Sequence, residues 1–158
     1  MLPEIDFTFS YILQVTLLRN EFNFERLKNS KDNIEKIFYK QQDKILGSIQ
    51  KLSKLRWKEN YIQVWVFTGL YDSVPSPVLI NCTSGDSDTM LFELVRMLSH
   101  SIFIQSGIQE VEDHIPYGIT IKIMQELIGT TRLKDVYTKL ELDTFKKPVL
   151  EKALSMKF

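Results

Sequence analysis

The chain has 158 residues, 44% hydrophobic and 25% charged, with 20 Lys and Arg against 20 Asp and Glu. That is enough apolar material for one domain with a real core and leaves little room for a second. One cysteine, Cys82, excludes an internal disulfide and any Cys-pair zinc site, and fits a reducing, cytoplasmic setting.

Taken in chain order, the first apolar run is Phe7 to Leu18. It lacks charge, but at about a dozen residues it falls short of the roughly 20 that span a bilayer, and Glu4 and Asp6 precede it rather than lysines. It therefore reads as a buried first helix, Phe9 to about Glu21, and not as a signal peptide or a membrane span. Tyr11, Ile12, Val15 and Leu18 recur on that helix at three- and four-residue steps. The polar stretch Asn20 to Asn29 reads as a connection. Ser30 then caps a long second helix carrying Ile34, Ile37, Phe38, Ile45, Ile49, Leu52 and Leu55, with Gly47 placed to bend or weaken it.

From Tyr61 the pattern changes, and Ile62-Gln63-Val64-Trp65-Val66-Phe67 is a β-branched and aromatic run that predicts a strand ended by Gly69. Leu70 to Pro77, with Pro75-Ser76-Pro77, reads as a loop. Val78 to Cys82 is a second short strand, expected to pair antiparallel with the first. Asp86 or Ser87 can cap a third helix reaching about Gln105, with Leu91, Leu94, Val95, Leu98 and Ile102 inward. Gly107 breaks it and an acidic turn, Glu110 to His114, follows. Pro116 opens a fourth helix ended by Gly129, a fifth covers about Leu133 to Leu140, and Lys147-Pro148 opens a last one with Leu150, Ala153 and Leu154 as its contact side. This order predicts an α+β fold that is mostly helical, with a small antiparallel β pair packed on helices.

Charge is unevenly spread. Between Lys58 and Lys122 the one Lys or Arg is Arg96, while Asp72, Asp86, Asp88, Glu93, Glu110, Glu112 and Asp113 make the middle acidic and lysines crowd both flanks. That argues against a continuous nucleic-acid surface, although a lysine-rich helix face could still meet phosphates; the plainer reading is a solvated face.

The third helix carries Phe92-Glu93-Leu94-Val95-Arg96 and, one turn on, His100. A His-Glu-x-x-His pattern would put two imidazoles on one helix face to bind Zn²⁺, with the Glu as general base on the metal-bound water. Here the two ligand positions hold Phe92, which has no lone pair, and Arg96, which stays protonated, so only Glu93 remains of the motif. Arg96 could place its guanidinium in the space and charge of the missing ion and pair with Glu93, or the two could form an ordinary surface pair three residues apart. Burial separates these readings. His100 and Cys82 are most simply packed residues, and His114 among Glu110, Glu112 and Asp113 is a common kind of acidic turn. Trp57, Tyr61, Trp65, Phe67 and Tyr71 concentrate aromatic surface around the first strand, mostly for the core, with any exposed remainder available to a partner.

With its long helix, β pair, loop, helix with a Glu-Leu-Val core and a further helix behind, the stretch from about Tyr61 to Leu127 resembles the minimal zincin, or gluzincin-like, arrangement of small metallopeptidases. The resemblance implies that an edge strand binds peptide by strand addition, that the first of the two helices supplies two His ligands and the Glu base, and that the second supplies a third ligand. Only Glu93 matches a functional position. Phe92 and Arg96 depart from the pattern, and the fourth helix offers one carboxylate, Glu126, with His114 in the turn before it.

On this reading residues 1–158 form one domain: helices over 1–60, the zincin-like β pair and two core helices over 61–128, and C-terminal helices over 129–158. The expected function is that of a non-catalytic, cofactor-free zincin-like protein that binds a peptide or protein through a cleft at Phe92, Glu93, Arg96 and His100, without a membrane role or a clear nucleic-acid one. One alternative is an active metal-dependent hydrolase, with zinc the expected metal, using an unusual ligand set such as Glu93, His100 and His114 or Glu126. The other is a helical interaction module unrelated to zincins.

Overall fold

The computed structural model describes residues 1–9, 24–69 and 71–158. The first helix expected from about Phe9 to Glu21 lies outside the described residues, apart from Phe9 itself, which closes a strand. Strand β1 spans Glu4–Phe9 and was read as the approach to a helix. Its buried Ile5 and Phe7 alternate with the more exposed Glu4, Asp6 and Thr8, the period of two that a half-buried strand requires.

Two helices follow where one long helix was expected: α1, Phe24–Tyr39, and α2, Gln42–Ser53. Helix α1 begins ahead of Ser30, which is buried inside it, so Phe24 to Asn29 is helical and not a connection. The break falls at Lys40-Gln41, where the Gln41 amide turns back to the Phe38 carbonyl, and Gly47 sits undisturbed within α2. The turn lets Ile34 and Phe38 on one helix and Ile45, Leu46 and Ile49 on the next enter the same core. Lys54, in the left-handed conformation at φ 61°, ends α2. Trp57 then folds back, its indole N–H donating to the Leu46 carbonyl at 3.1 Å.

The sheet has four strands in the order β1-β2-β4-β3, with β2 at Tyr61–Phe67, β3 at Val74–Pro75 and β4 at Val78–Asn81. The antiparallel pairing expected for the two main strands is wrong: β2 and β4 run parallel, with Val64 opposite Val78 and Phe67 opposite Asn81. The segment read as loop explains how. After β2 the chain passes to the far side of the sheet, runs down as β3, turns through a cis Ser76-Pro77 bond, and inserts β4 between β3 and β2. A two-residue edge strand thus replaces the crossover helix that parallel neighbours usually need. Ile5, Phe7, Ile62, Val64, Val66, Val78 and Ile80 are buried and belong to the helix-lined core.

Helix α3, Ser87–Gln105, is the centre of the molecule. Asp86 caps it by accepting from the Thr89 amide at 3.0 Å. The expected inward stripe is buried, but so are Met90, Phe92, Glu93, Met97 and Ser99, because α3 packs against β3, β4, both preceding helices and the helix that follows. That helix, α4, runs over His114–Glu141 and is interrupted at Gly129 (φ 81°, ψ 168°), where the sequence placed a helix end. The last helix, α5, covers Lys146–Leu154 and buries Leu150 and Ala153, whereas Leu154 is exposed and not part of the contact side. Helix dominates a small mixed sheet, and among the described residues no helix is long and apolar enough to cross a membrane.

Candidate functional site

Helix α3 presents Phe92, Glu93, Arg96 and His100 over three successive turns. Phe92 is fully buried, its ring 5.9 Å from that of Tyr117 on α4. Arg96 Nη2 donates to Glu93 Oε2 at 2.6 Å, and the two side chains are only 13% and 10% exposed. The reading of this pair as an ordinary surface pair is therefore overturned. The guanidinium also lies over the Tyr117 ring, 4.8 Å from its centroid, so the cation is held between a carboxylate and a π face. Burial works against its charge, but Glu93, Tyr117 and Asp72 outweigh that and push its pKa upward.

Electrostatics shows what else converges. Burial, aided by Glu93 and Asp72 and opposed by Arg96, pushes the Tyr117 phenol up to about 12, so it is a neutral hydroxyl. Burial, with Glu93 adding to it, also pushes the Cys82 thiol up to about 12. That thiol is no nucleophile. Asp72, on the loop entering β3, acts on both Arg96 and Tyr117 and is itself tied to Lys146 of α5 at 3.1 Å. Edge strand β3 packs against α3. Two buried polar atoms here have no hydrogen-bond partner, Arg96 Nε and Ser99 Oγ.

His100 is half-buried. Burial lowers its pKa below the ordinary imidazole value, with Asp113 opposing and Arg96 adding to the effect. It lies one helical turn beyond Arg96 on α3. His114 Nδ1 lies 3.2 Å from Glu112 in its own turn, and Glu126 is exposed on α4. Twelve residues of helix separate these two, about 18 Å along the axis, so no single ion can take both. Among the described residues no three His, Cys, Asp or Glu side chains group as a metal site requires.

The second-helix residue that faces Arg96 is thus neither Glu126 nor His114 but Tyr117, which sequence reasoning did not single out. Nothing in the sequence marks it beyond its place after Pro116 in the first turn of α4. Of the aromatics around β2, Trp57 and Phe67 are buried, while Tyr61 and Tyr71 are exposed. Tyr61 donates to Asp6 at 2.7 Å. The Tyr71 carbonyl accepts from the Asn81 side-chain amide at 2.7 Å, as the Gly69 carbonyl does at 2.9 Å. Compared with family models, curated proteins and solved structures, the chain matches none.

Proposed function

We propose that this chain is a zincin-like domain that has lost its metal chemistry and acts by binding a peptide or protein. The observation that carries this reading is the buried Arg96–Glu93 pair. A zinc peptidase needs its Glu carboxylate free to take a proton from metal-bound water, and here that carboxylate is committed to a guanidinium. Phe92 fills the other ligand position as core, and Tyr117 stands on the second helix where a third ligand would be sought. A fixed positive charge beside Glu93 answers the electrostatic need a metal would otherwise meet, without Lewis acidity or an exchangeable water.

The exposed features nearby support binding. β3 is an edge strand against α3, but it has two residues and ends in Pro75, which lacks an N–H, so it offers little ladder for strand addition. Recognition would rest more on side chains, with Tyr71, 59% exposed, on a loop held by Asn81. An aromatic presented on an ordered loop loses little entropy when it docks.

The test is metal content per chain, by elemental analysis of protein purified without chelators or a metal-affinity tag, before and after incubation with zinc. Well under one zinc per chain in both states is expected. Near-stoichiometric zinc would overturn the reading.

A further inference from the structure

Helix α4 bends at Gly129, and both of its halves contribute to a cavity that the cleft at Arg96 does not use. The cavity holds about 640 Å³ and is walled by Ile121 before the bend, Leu133 after it, Ala153 and Leu154 of α5, and Met156 and Phe158 beyond. None of Phe92, Glu93, Arg96, His100 and Tyr117 lines it. Its volume falls in the range of about 300–1,000 Å³ that small-molecule sites occupy, and such sites combine apolar walls with a few convergent polar groups.

Polar groups of that kind are present and uncommitted. Lys122, Gln125, Thr130, Tyr137 and Lys157 also line the cavity, and none of their side chains forms a hydrogen bond or ion pair with another described residue. Burial pushes the Tyr137 phenol up to about 12, so it is a neutral donor. Not one carboxylate side chain lines the cavity: Glu126, Asp135, Glu141 and Glu151, on the same two helices, are exposed and lie outside it. The two lysines are rooted at one end. A Cβ on Gly118 would meet Met156 Sδ at 2.5 Å, so the residue before Lys157 presses on Gly118, and Lys122 stands one turn along α4 from that point.

We propose that this cavity binds a small amphipathic carboxylate of the fatty-acid type, with its apolar chain along Ile121, Leu133 and Ala153 and its head between Lys122 and Lys157. Size and chemistry select that occupant. A partner helix about 10–12 Å across fills roughly 420–610 Å³ per turn, so the cavity has room for little more than one turn of it. An extended peptide needs backbone partners, and the walls from α4 and α5 are helical, with their N–H and C=O groups spent inside the helices. A cationic ligand would meet two ammonium groups and no acid. An apolar body ending in one anion uses both the walls and the lysines, since a carboxylate accepts charge-assisted hydrogen bonds from ammonium groups.

The test is isothermal titration calorimetry of the full chain with decanoate, decanol and decyltrimethylammonium, each below the concentration at which it self-associates. One decanoate per chain is expected, held about tenfold or more tighter than decanol, with the cation weakest. The Lys122→Gln, Lys157→Gln double variant keeps its fold, since both side chains are exposed. It brings decanoate down to the affinity of decanol and leaves decanol unchanged. A Lys134→Gln, Lys147→Gln variant removes the same charge elsewhere and changes neither. Thr130→Trp, at an exposed position on the cavity wall, fills the space and abolishes binding of both, with circular dichroism confirming the fold. No saturable decanoate binding overturns the proposal. So do equal affinities for decanoate and decanol, tighter binding of the cation, equal losses in the two lysine variants, or a folded Thr130→Trp chain that binds as the parent does.

Discussion

Replacing Arg96 with Met removes the guanidinium and keeps most of its volume. The Glu93 carboxylate, with 10% of its side chain exposed, is left without its 2.6 Å partner. Breaking one side of a buried ion pair costs about 3–5 kcal/mol, and loss of the contact over the Tyr117 ring belongs to the same deletion. Against a typical total stability of about 5–15 kcal/mol, that is a large fraction. In urea denaturation, with a slope of about 2 kcal/mol per molar, the midpoint should fall by roughly 2 M. The Glu93→Leu, Arg96→Met double variant removes both charges at once and should return to within about 1–2 kcal/mol of the parent, because replacing a whole buried pair with apolar groups is often neutral. A single variant that loses less than about 1 kcal/mol would show the pair to be worth no more than a surface one and would sink the argument.

The remaining predictions test particular side chains. Because burial lowers the His100 pKa, the unfolded chain takes up a proton below about pH 6.5 that the folded one refuses, so stability falls as pH drops through that value. His100→Gln should flatten the loss between pH 7.5 and 5.5 measured by urea midpoints; a parent and variant with equal slopes would refute this. Cys82, pushed up to about 12 and buried, should resist a thiol reagent at pH 8 in the native state and react at once in urea, and fast native labelling would contradict its placement. Gly129→Ala should cost about 1–3 kcal/mol through backbone strain alone, since φ 81°, ψ 168° is glycine territory and its Cβ would meet nothing within 4 Å. Gly47→Ala, equally free of contacts but inside α2, should instead stabilise by up to about 1 kcal/mol; effects of the same sign would undo the contrast.

Where an element follows from its own caps, breakers and residue spacing, the sequence is readable. Asp86 as cap, the core stripe of α3, the interruption at Gly129 and the strand Tyr61–Phe67 all follow from local chemistry. Strand β1 is not legible although Ile5 and Phe7 alternate with Glu4, Asp6 and Thr8, because six residues of alternation run straight into the uncharged stretch whose spacing predicts a helix from Phe9. The direction of β4 was not legible, since it depends on β3, a strand of two residues that no periodicity can reveal. The split between α1 and α2 turned on Lys40-Gln41, neither a breaker, while the visible glycine at 47 was harmless.

At the candidate site the sequence supplied α3's half. Glu93 and Arg96, one turn apart, were bound to be neighbours, but only burial could say that they make a core pair. Tyr117 and Asp72 come from other elements and depend on how α4 and the β3 loop settle around α3.

The central claim is that Arg96 and its neighbours stand where a zincin holds its ion. Restoring ligands tests it most directly: build Phe92→His, Arg96→His and Tyr117→Glu together, confirm by circular dichroism that the variant is folded, and titrate zinc by calorimetry with elemental analysis of the product. The account predicts one tightly held zinc per chain, absent from the parent. A folded triple variant that takes up no zinc would contradict it.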